Sequence, residues 1–239
     1  MLRSSVKACL RKWGYVVSRY DFRLDPLAVR ERLFETRGID LVYDIGANVG
    51  QFALELRRSG YRGRIISFEP LESAFHTLSE TAESDPRWEA CNYALGDQDS
   101  TAEINVARNS WSSSLLSILP IHVSAAPHSA YVGTQTVRVR TLDSVFWTYC
   151  KPEDRVFIKI DTQGFAKNVL VGSEHTLERV DGLQIEMSLV PLYEGEPLID
   201  ELISFLRGKG FTLAYVSPEF FDERTGQQLQ VNGLFLRLG

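Results

Sequence analysis

The run Leu41-Val42-Tyr43-Asp44-Ile45-Gly46-Ala47-Asn48-Val49-Gly50 constrains this chain more than any other stretch. An apolar segment of strand length closes in Asp-x-Gly-x-Asn-x-Gly, the pattern of a buried strand, a tight turn and a helix start. Gly46 can take backbone angles closed to other residues, and its bare Cα lets a ligand approach the main chain. The helix beyond is expected to turn free N–H groups toward the crevice. A second apolar run, Ile65-Ile66-Ser67-Phe68, ends at Glu69, where a carboxylate can accept both hydroxyls of a ribose. Asp44 sets negative charge beside the turn, where a phosphate would be repelled. The pattern points to a nucleoside carrying a cation rather than to a dinucleotide. S-adenosylmethionine (SAM), with adenosine, a sulfonium and an ammonium, has that chemistry.

Apolar periodicity extends the pattern along the chain. Helices are expected over 25–38, from Val49 to Arg58, after Pro70 through Leu78, from Leu142, after Asp161 through Leu177, and over about 197–207. Strands are expected at 41–45, 64–68, 88–93, 155–160, 182–186, 211–216 and 229–238. This alternation predicts an α/β fold with a mostly parallel sheet covered on both faces. Two further segments, 101–106 and 136–140, alternate like half-exposed strands. Between them lies the serine-rich stretch 107–135, long enough for a functional or disordered loop.

Composition removes several classes. A net charge of −5 argues against general nucleic-acid binding, which needs phosphate neutralisation by Lys and Arg. Cys9, Cys91 and Cys150 are too scattered for a disulfide framework or a zinc site, which suits a reducing, cytoplasmic compartment. No apolar run has the length of a membrane helix. The first 23 residues carry six basic residues against Asp21, a net +5, leaving −10 on the remainder. Leu2, Val6, Cys9, Trp13, Val16, Val17 and Tyr20 fall there at helical spacing. Two readings follow: a helix packed on the core, or a basic amphipathic helix touching the inner membrane face. The packed helix is favoured, giving an N-terminal helical extension at 1–38 and one domain at 39–239.

The strand ends carry Asp44, Glu69, Asn92, Asp161 and Glu186, where ligands of open α/β sheets bind. With Val42 through Phe52, Ser67-Phe68-Glu69-Pro70, Asn92-Tyr93-Ala94-Leu95-Gly96-Asp97 and Lys159-Ile160-Asp161-Thr162-Gln163-Gly164, the chain resembles the FkbM-type SAM-dependent methyltransferases. The resemblance runs from about residue 40 to the C-terminus. It implies the Rossmann-like class I methyltransferase fold, a seven-stranded sheet whose final strand is antiparallel. It implies O-methylation of a carbohydrate, glycolipid or natural-product hydroxyl. By position, Asp44, Gly46, Asn48 and Gly50 would serve the methionine part of SAM and Glu69 the ribose. Pro70, Asn92, Ala94 and Leu95 would flank the adenine, and Asp161 would face the methyl-transfer centre. The family's fourth block continues Gly-aromatic-Glu, where this chain has Gly164-Phe165-Ala166. The missing Glu is either a first-turn helix charge or a functional carboxylate.

An unactivated hydroxyl is a poor nucleophile, so a base or a divalent metal is expected. Asp161, Glu186, His122 and His128 are the candidates, with Asp161 and Glu186 on adjacent strands able to share one acceptor or one cation. No residue spacing marks a metal site by itself. Asn109 and Ser110-Trp111-Ser112-Ser113-Ser114 are a candidate lid, with a plain surface loop as the alternative. Tyr193 and Trp111 are candidate stacking surfaces for a sugar ring, or ordinary packing under a loop. Asp97-Gln98-Asp99 beside Gly96 reads as a turn. Two competing functions remain. A SAM-binding protein that has lost catalysis is favoured only by Ala166. An NAD(P)-dependent oxidoreductase lacks both the third glycine and any Tyr-x-x-x-Lys.

Overall fold

The computed structural model describes residues 4–17 and 19–237, with side chains from residue 6. Leu2 lies outside them. The chain forms two compact units, Met1–Thr36 and Arg37–Gly239.

The first unit holds α1 (Ser4–Lys12) and most of α2 (Pro26–Arg37). Helix α1 stops well short of the amphipathic pattern in the sequence. Gly14 adopts φ +80°, and the Tyr15 N–H turns back to the Leu10 carbonyl at 2.9 Å. A left-handed glycine just past a helix is a strong stop. Trp13, Val16, Val17 and Tyr20 are therefore not on a helix face, and all four are exposed. Helix α2 starts where Asp25 Oδ1 accepts from the Leu27 N–H at 3.1 Å, with Pro26 in the first turn.

The second unit follows strand–helix alternation. Its elements are β1 (Leu41–Ile45), α3 (Gln51–Arg58), β2 (Arg64–Phe68), α4 (Glu72–Ala82), β3 (Trp88–Cys91), β4 (Ala94–Leu95) and β5 (Ser100–Ala107). Next come α5 (Pro120–Ala125), β6 (Tyr131–Arg140), α6 (Leu142–Tyr149), β7 (Val156–Ile160), α7 (Ala166–Val171) and β8 (Val180–Ser188). The chain ends with α8 (Ile199–Gly208), β9 (Phe211–Pro218), β10 (Phe221–Asp222), β11 (Gln227–Gln228) and β12 (Gln230–Arg237).

Seven strands form the main sheet in the order β3-β2-β1-β7-β8-β12-β9. All neighbours pair in parallel except β12, which is antiparallel to both β8 and β9. This is the class I methyltransferase arrangement, final antiparallel strand included. Every residue of β1 and β7 is buried, as expected of central parallel strands covered on both faces. One core joins Tyr43, Phe68, Phe146, Ile158, Leu183 and Phe235 across the sheet and helices.

The half-exposed segments leave this sheet and build a second one, in the order β4-β6-β5. The serine-rich stretch is more structured than a loop. It contains α5, and its last residues belong to β6.

The topology fixes where a ligand can go. From β1 the chain steps outward through β2 to β3, and later returns to β7 on the other side of β1. The carboxyl ends of β1 and β7 thus flank the point where strand order reverses, the place where such sheets open a crevice.

Candidate active site

The β1 turn is held by the protein itself. The Gly46 and Ala47 N–H groups both donate to the Phe68 carbonyl at 3.0 Å, and the Gly50 N–H donates to the Ala47 carbonyl at 2.8 Å. The Asn48 N–H donates to Glu69 Oε2 at 2.8 Å. These four N–H groups belong to the turn; the helix expected to present free N–H groups, α3, begins beyond them at Gln51 with no side-chain cap at Gly50. The four turn donors are not available to a phosphate, which disfavours a dinucleotide there. The adjoining acidic side chains suit a cationic ligand, so the residues present fit SAM.

The protein itself requires these glycines. A Cβ on Gly46, at φ +78°, would lie 1.8 Å from the Asp161 carbonyl oxygen. The missing side chain admits the neighbouring strand end. At Gly50, with φ +90°, a Cβ would meet the Trp88 ring at 2.8 Å.

Glu69 ties the ends of β1 and β2 together. Besides Asn48, its Oε1 accepts from the Leu71 N–H at 2.8 Å. Burial pushes its carboxyl up to about 7, against the pull of these two backbone donors. Each oxygen keeps a second lone pair, so accepting ribose hydroxyls remains compatible with this latch. Asn92 donates from Nδ2 to the Glu69 carbonyl at 3.0 Å and to the Pro70 carbonyl at 3.3 Å, which sets the wall beyond β2. Ala94 and Leu95 form β4, and the Leu95 side chain packs in the main core.

On the other side, Asp161 follows β7 and Glu186 lies in β8. Gln163 joins them: its Nε2 donates to Asp161 Oδ1 at 2.8 Å and to Glu186 Oε2 at 2.9 Å. Its Oε1 accepts from the Tyr193 hydroxyl at 2.8 Å. Gln163 has φ +50°, unusual for a residue other than glycine, and its side-chain bonds hold it there. The amide nitrogen bridges the two carboxylates that a shared cation would bridge, which argues against the divalent-metal expectation at this pair. Among the described residues, no group of three or more His, Cys, Asp and Glu is arranged to hold a metal ion.

The two carboxyl groups differ in setting. Glu186 is half-buried and also accepts from Gln230 Nε2 at 2.9 Å. Burial pushes it well above the usual carboxylate range, and the charges of Asp161 and Glu219 add to the rise against Lys159. The Asp161 side chain keeps 35% of its surface open. Lys159 lies between Asp44 and Asp161, 3.5 Å from Asp44 Oδ1 and 3.3 Å from Asp161 Oδ2.

The segment before α5 reaches both turns. Asn48 Nδ2 donates to Ser110 Oγ at 3.2 Å, and Ser114 Oγ donates to the Gln163 carbonyl at 2.6 Å. Trp111 stands 64% exposed between these anchors. His122 is buried against Tyr193 and Phe220, with ring centroids 5.1 Å from each. Burial pushes it down to about 4, and among the described residues its Nδ1 has no hydrogen-bond partner.

His122 is thus neutral at pH 7, and it contributes a stability slope. Its folded pKa lies below the unfolded value, so the unfolded chain binds the proton preferentially between about pH 4 and 6.5. Stability falls as the pH drops through that window, by roughly 2 kcal/mol at about pH 5. His122→Phe is expected to flatten this part of the urea-unfolding pH profile. An unchanged slope would show that another group causes it.

Two other sequence features are structural. Asp99 accepts from the Thr141 N–H at 2.7 Å and from Arg140 Nε at 2.9 Å, so the bend at 97–99 is tied to the junction of β6 and α6. Ala166 starts α7 and faces the main core, so in this chain its position serves packing. Lys159 and Gln163 enter the sequence reading only as members of the fourth block, with no role of their own, and Glu219 does not enter it. Lys159 alone carried a signal, a charge inside the apolar run Val156–Ile160.

Among the described residues, no helix is long and apolar enough to cross a membrane. No curated protein matches the chain. Similar solved structures include the FkbM methyltransferase of Methylobacillus flagellatus KT, at 14% identity and TM-score 0.47, covering 82% of this chain and 43% of that one. Others are TehB of Haemophilus influenzae (11%, TM-score 0.47, 95% and 65%) and an rRNA methylase of Streptococcus thermophilus (10%, TM-score 0.48, 94% and 100%). The chain thus spans less than half of the first of these proteins. The FkbM methyltransferase domain matches residues 44–213, more than two thirds of the sequence and all of the strand ends described above. The chain belongs to the FkbM methyltransferase domain family.

Proposed function

We propose that the protein methylates a hydroxyl oxygen of a carbohydrate, a glycolipid or a related natural product. The observation that carries this reading is the Asp161 carboxylate, open to the crevice and held by Gln163 on one oxygen and near Lys159 on the other. SAM supplies an activated methyl group on its sulfonium. The protein must align the acceptor oxygen and receive its proton.

In this reading Asp161 takes that proton. Glu186, pushed toward its protonated form, is suited to orienting a hydroxyl rather than to acting as the base. Gln163 keeps the two groups in fixed relation and links them through Tyr193 to the segment that carries Trp111. The exposed indole of Trp111, next to Ser110 that meets Asn48, offers a flat apolar surface to a sugar ring.

The test is incubation with methyl-labelled SAM and a panel of sugars, glycolipids, phenols and amines, followed by mass spectrometry of the products. Methyl ethers on sugar hydroxyls are expected. Methylation confined to nitrogen acceptors would overturn the reading.

A further inference from the structure

Lys159 is the unusual residue of β7, a strand with all five residues buried. Its ammonium has three hydrogens and faces three oxygens. Asp44 Oδ1 lies at 3.5 Å, Asp161 Oδ2 at 3.3 Å and the Gly46 carbonyl oxygen at 3.3 Å. These atoms belong to the end of β1, its turn and the end of β7, so the ammonium sits in the floor of the crevice. The Lys159 side chain is 10% exposed and that of Asp44 is 0% exposed.

The floor is rigid. Asp44 and Lys159 stand opposite each other in the β1–β7 register, and Ser67 stands opposite Asp44 across β2. Trp88 Nε1 donates to Ser67 Oγ at 3.0 Å, and Ser67 Oγ donates to Asp44 Oδ2 at 3.1 Å. Asp44 therefore cannot swing away from Lys159. Burial alone would push the ammonium down, but Asp161 and Asp44 outweigh it and raise Lys159, which stays charged. Two carboxylates and one ammonium give the floor a formal charge of −1, where the carboxylates alone would give −2.

We propose that Lys159 is a specificity-determining residue that sets how strongly the site prefers the sulfonium cofactor over its thioether product. The inference rests on the SAM reading above. SAM and S-adenosylhomocysteine share their adenosine and amino-acid parts, and differ by one methyl group and one positive charge. A more negative floor holds the cation more tightly and leaves the neutral product unaffected. Methyl transfer removes that positive charge, so extra attraction to it stabilises the bound cofactor more than the transition state. Lys159 offsets part of this attraction.

The test is calorimetric titration of the full chain with SAM and with S-adenosylhomocysteine, reading the ratio of the two affinities. That ratio cancels losses common to both ligands, which a purely structural defect produces. Asp44→Asn makes the floor neutral, and Asp44→Asn/Lys159→Gln returns it to −1 without leaving a buried charge unpaired. The double variant is expected to prefer SAM on the order of tenfold more than Asp44→Asn does, the order of effect of one unit charge in a partly screened site. Lys159→Arg is expected to keep the wild-type ratio. Equal ratios in Asp44→Asn and the double variant would overturn the proposal.

Where the double variant does not fold, Asp161→Asn carries the test. It neutralises the floor at a partly open side chain, and the preference for SAM is expected to fall on the order of tenfold. An unchanged ratio there would equally overturn the proposal. Wild-type protein that binds neither ligand would instead sink the cofactor reading itself.

Discussion

Replacing Gly46 by alanine is expected to abolish SAM binding and to lower Tm by about 10 °C, from a loss of roughly 3 kcal/mol. Two costs add. The residue sits at φ +78°, where an L side chain is strained, and its Cβ would lie 1.8 Å from the Asp161 carbonyl oxygen. That oxygen belongs to the backbone and cannot rotate away. The β7 end would have to move, although the Asp161 N–H is tied to the Ile45 carbonyl at 3.0 Å and Lys159 to the Gly46 carbonyl. Any shift separates Asp44, Lys159 and Asp161 together. Gly195 is the control: its φ is +73°, but no atom lies within 4 Å of a Cβ placed there. Gly195→Ala is expected to cost about 1 kcal/mol and to leave SAM binding intact. Thermal melts and titration calorimetry on the two variants separate the steric cost from the conformational one. Equal behaviour would show that the β1 and β7 ends do not meet as described.

Asp161→Ala is expected to lower turnover about 10³-fold while changing SAM affinity by about tenfold or less, in line with the loss of a general base. The carboxylate is the open member of its pair, and both of its oxygens have a donor close by: Gln163 Nε2 at 2.8 Å on one and Lys159 Nζ at 3.3 Å on the other. Removing it frees the Gln163 amide and leaves Glu186, already pushed toward its neutral form, as the remaining carboxyl. A group with a raised pKa that keeps its own proton is a poor substitute base. The measurement is single-turnover methyl transfer to an acceptor found in the panel, alongside SAM titration. Parallel loss of turnover and affinity would reduce Asp161 to a binding residue, and unchanged turnover would remove it from the chemistry.

Much of this architecture was legible because parallel strands buried on both faces are nearly pure apolar runs. Leu41–Ile45, Arg64–Phe68 and Val156–Ile160 stand out for that reason, and Asp44 near the end of the first, Glu69 just past the second and Asp161 just past the third mark the crevice. The sequence read less clearly where local and distant causes produce the same residue. Gly46 looks the same whether a ligand or a neighbouring carbonyl needs the space, and only the register of β1 against β7 decides for the carbonyl. Helix α1 has apolar spacing that continues to Tyr20, yet Gly14 in a left-handed conformation ends it.

The bridging role of Gln163 depends on two strands and a loop meeting, with Asp161, Glu186 and Tyr193 between 2 and 30 positions away in sequence. No periodicity reports such a junction. His122 shows the reverse error. A histidine in a polar, serine-rich stretch reads as a reactive loop residue, whereas α5 folds it inward against Tyr193 and Phe220. The polar residues around it serve other ends: Ser110 meets Asn48, and Ser114 meets Gln163.

The central claim is that the crevice between β1 and β7 takes a nucleoside bearing positive charge and not a dinucleotide. Titration calorimetry of the purified chain with SAM, S-adenosylhomocysteine and NAD(P)H tests it most directly. Binding of the two adenosyl compounds with no heat from NAD(P)H is the predicted result. Binding of NAD(P)H with no response to either adenosyl compound would contradict it.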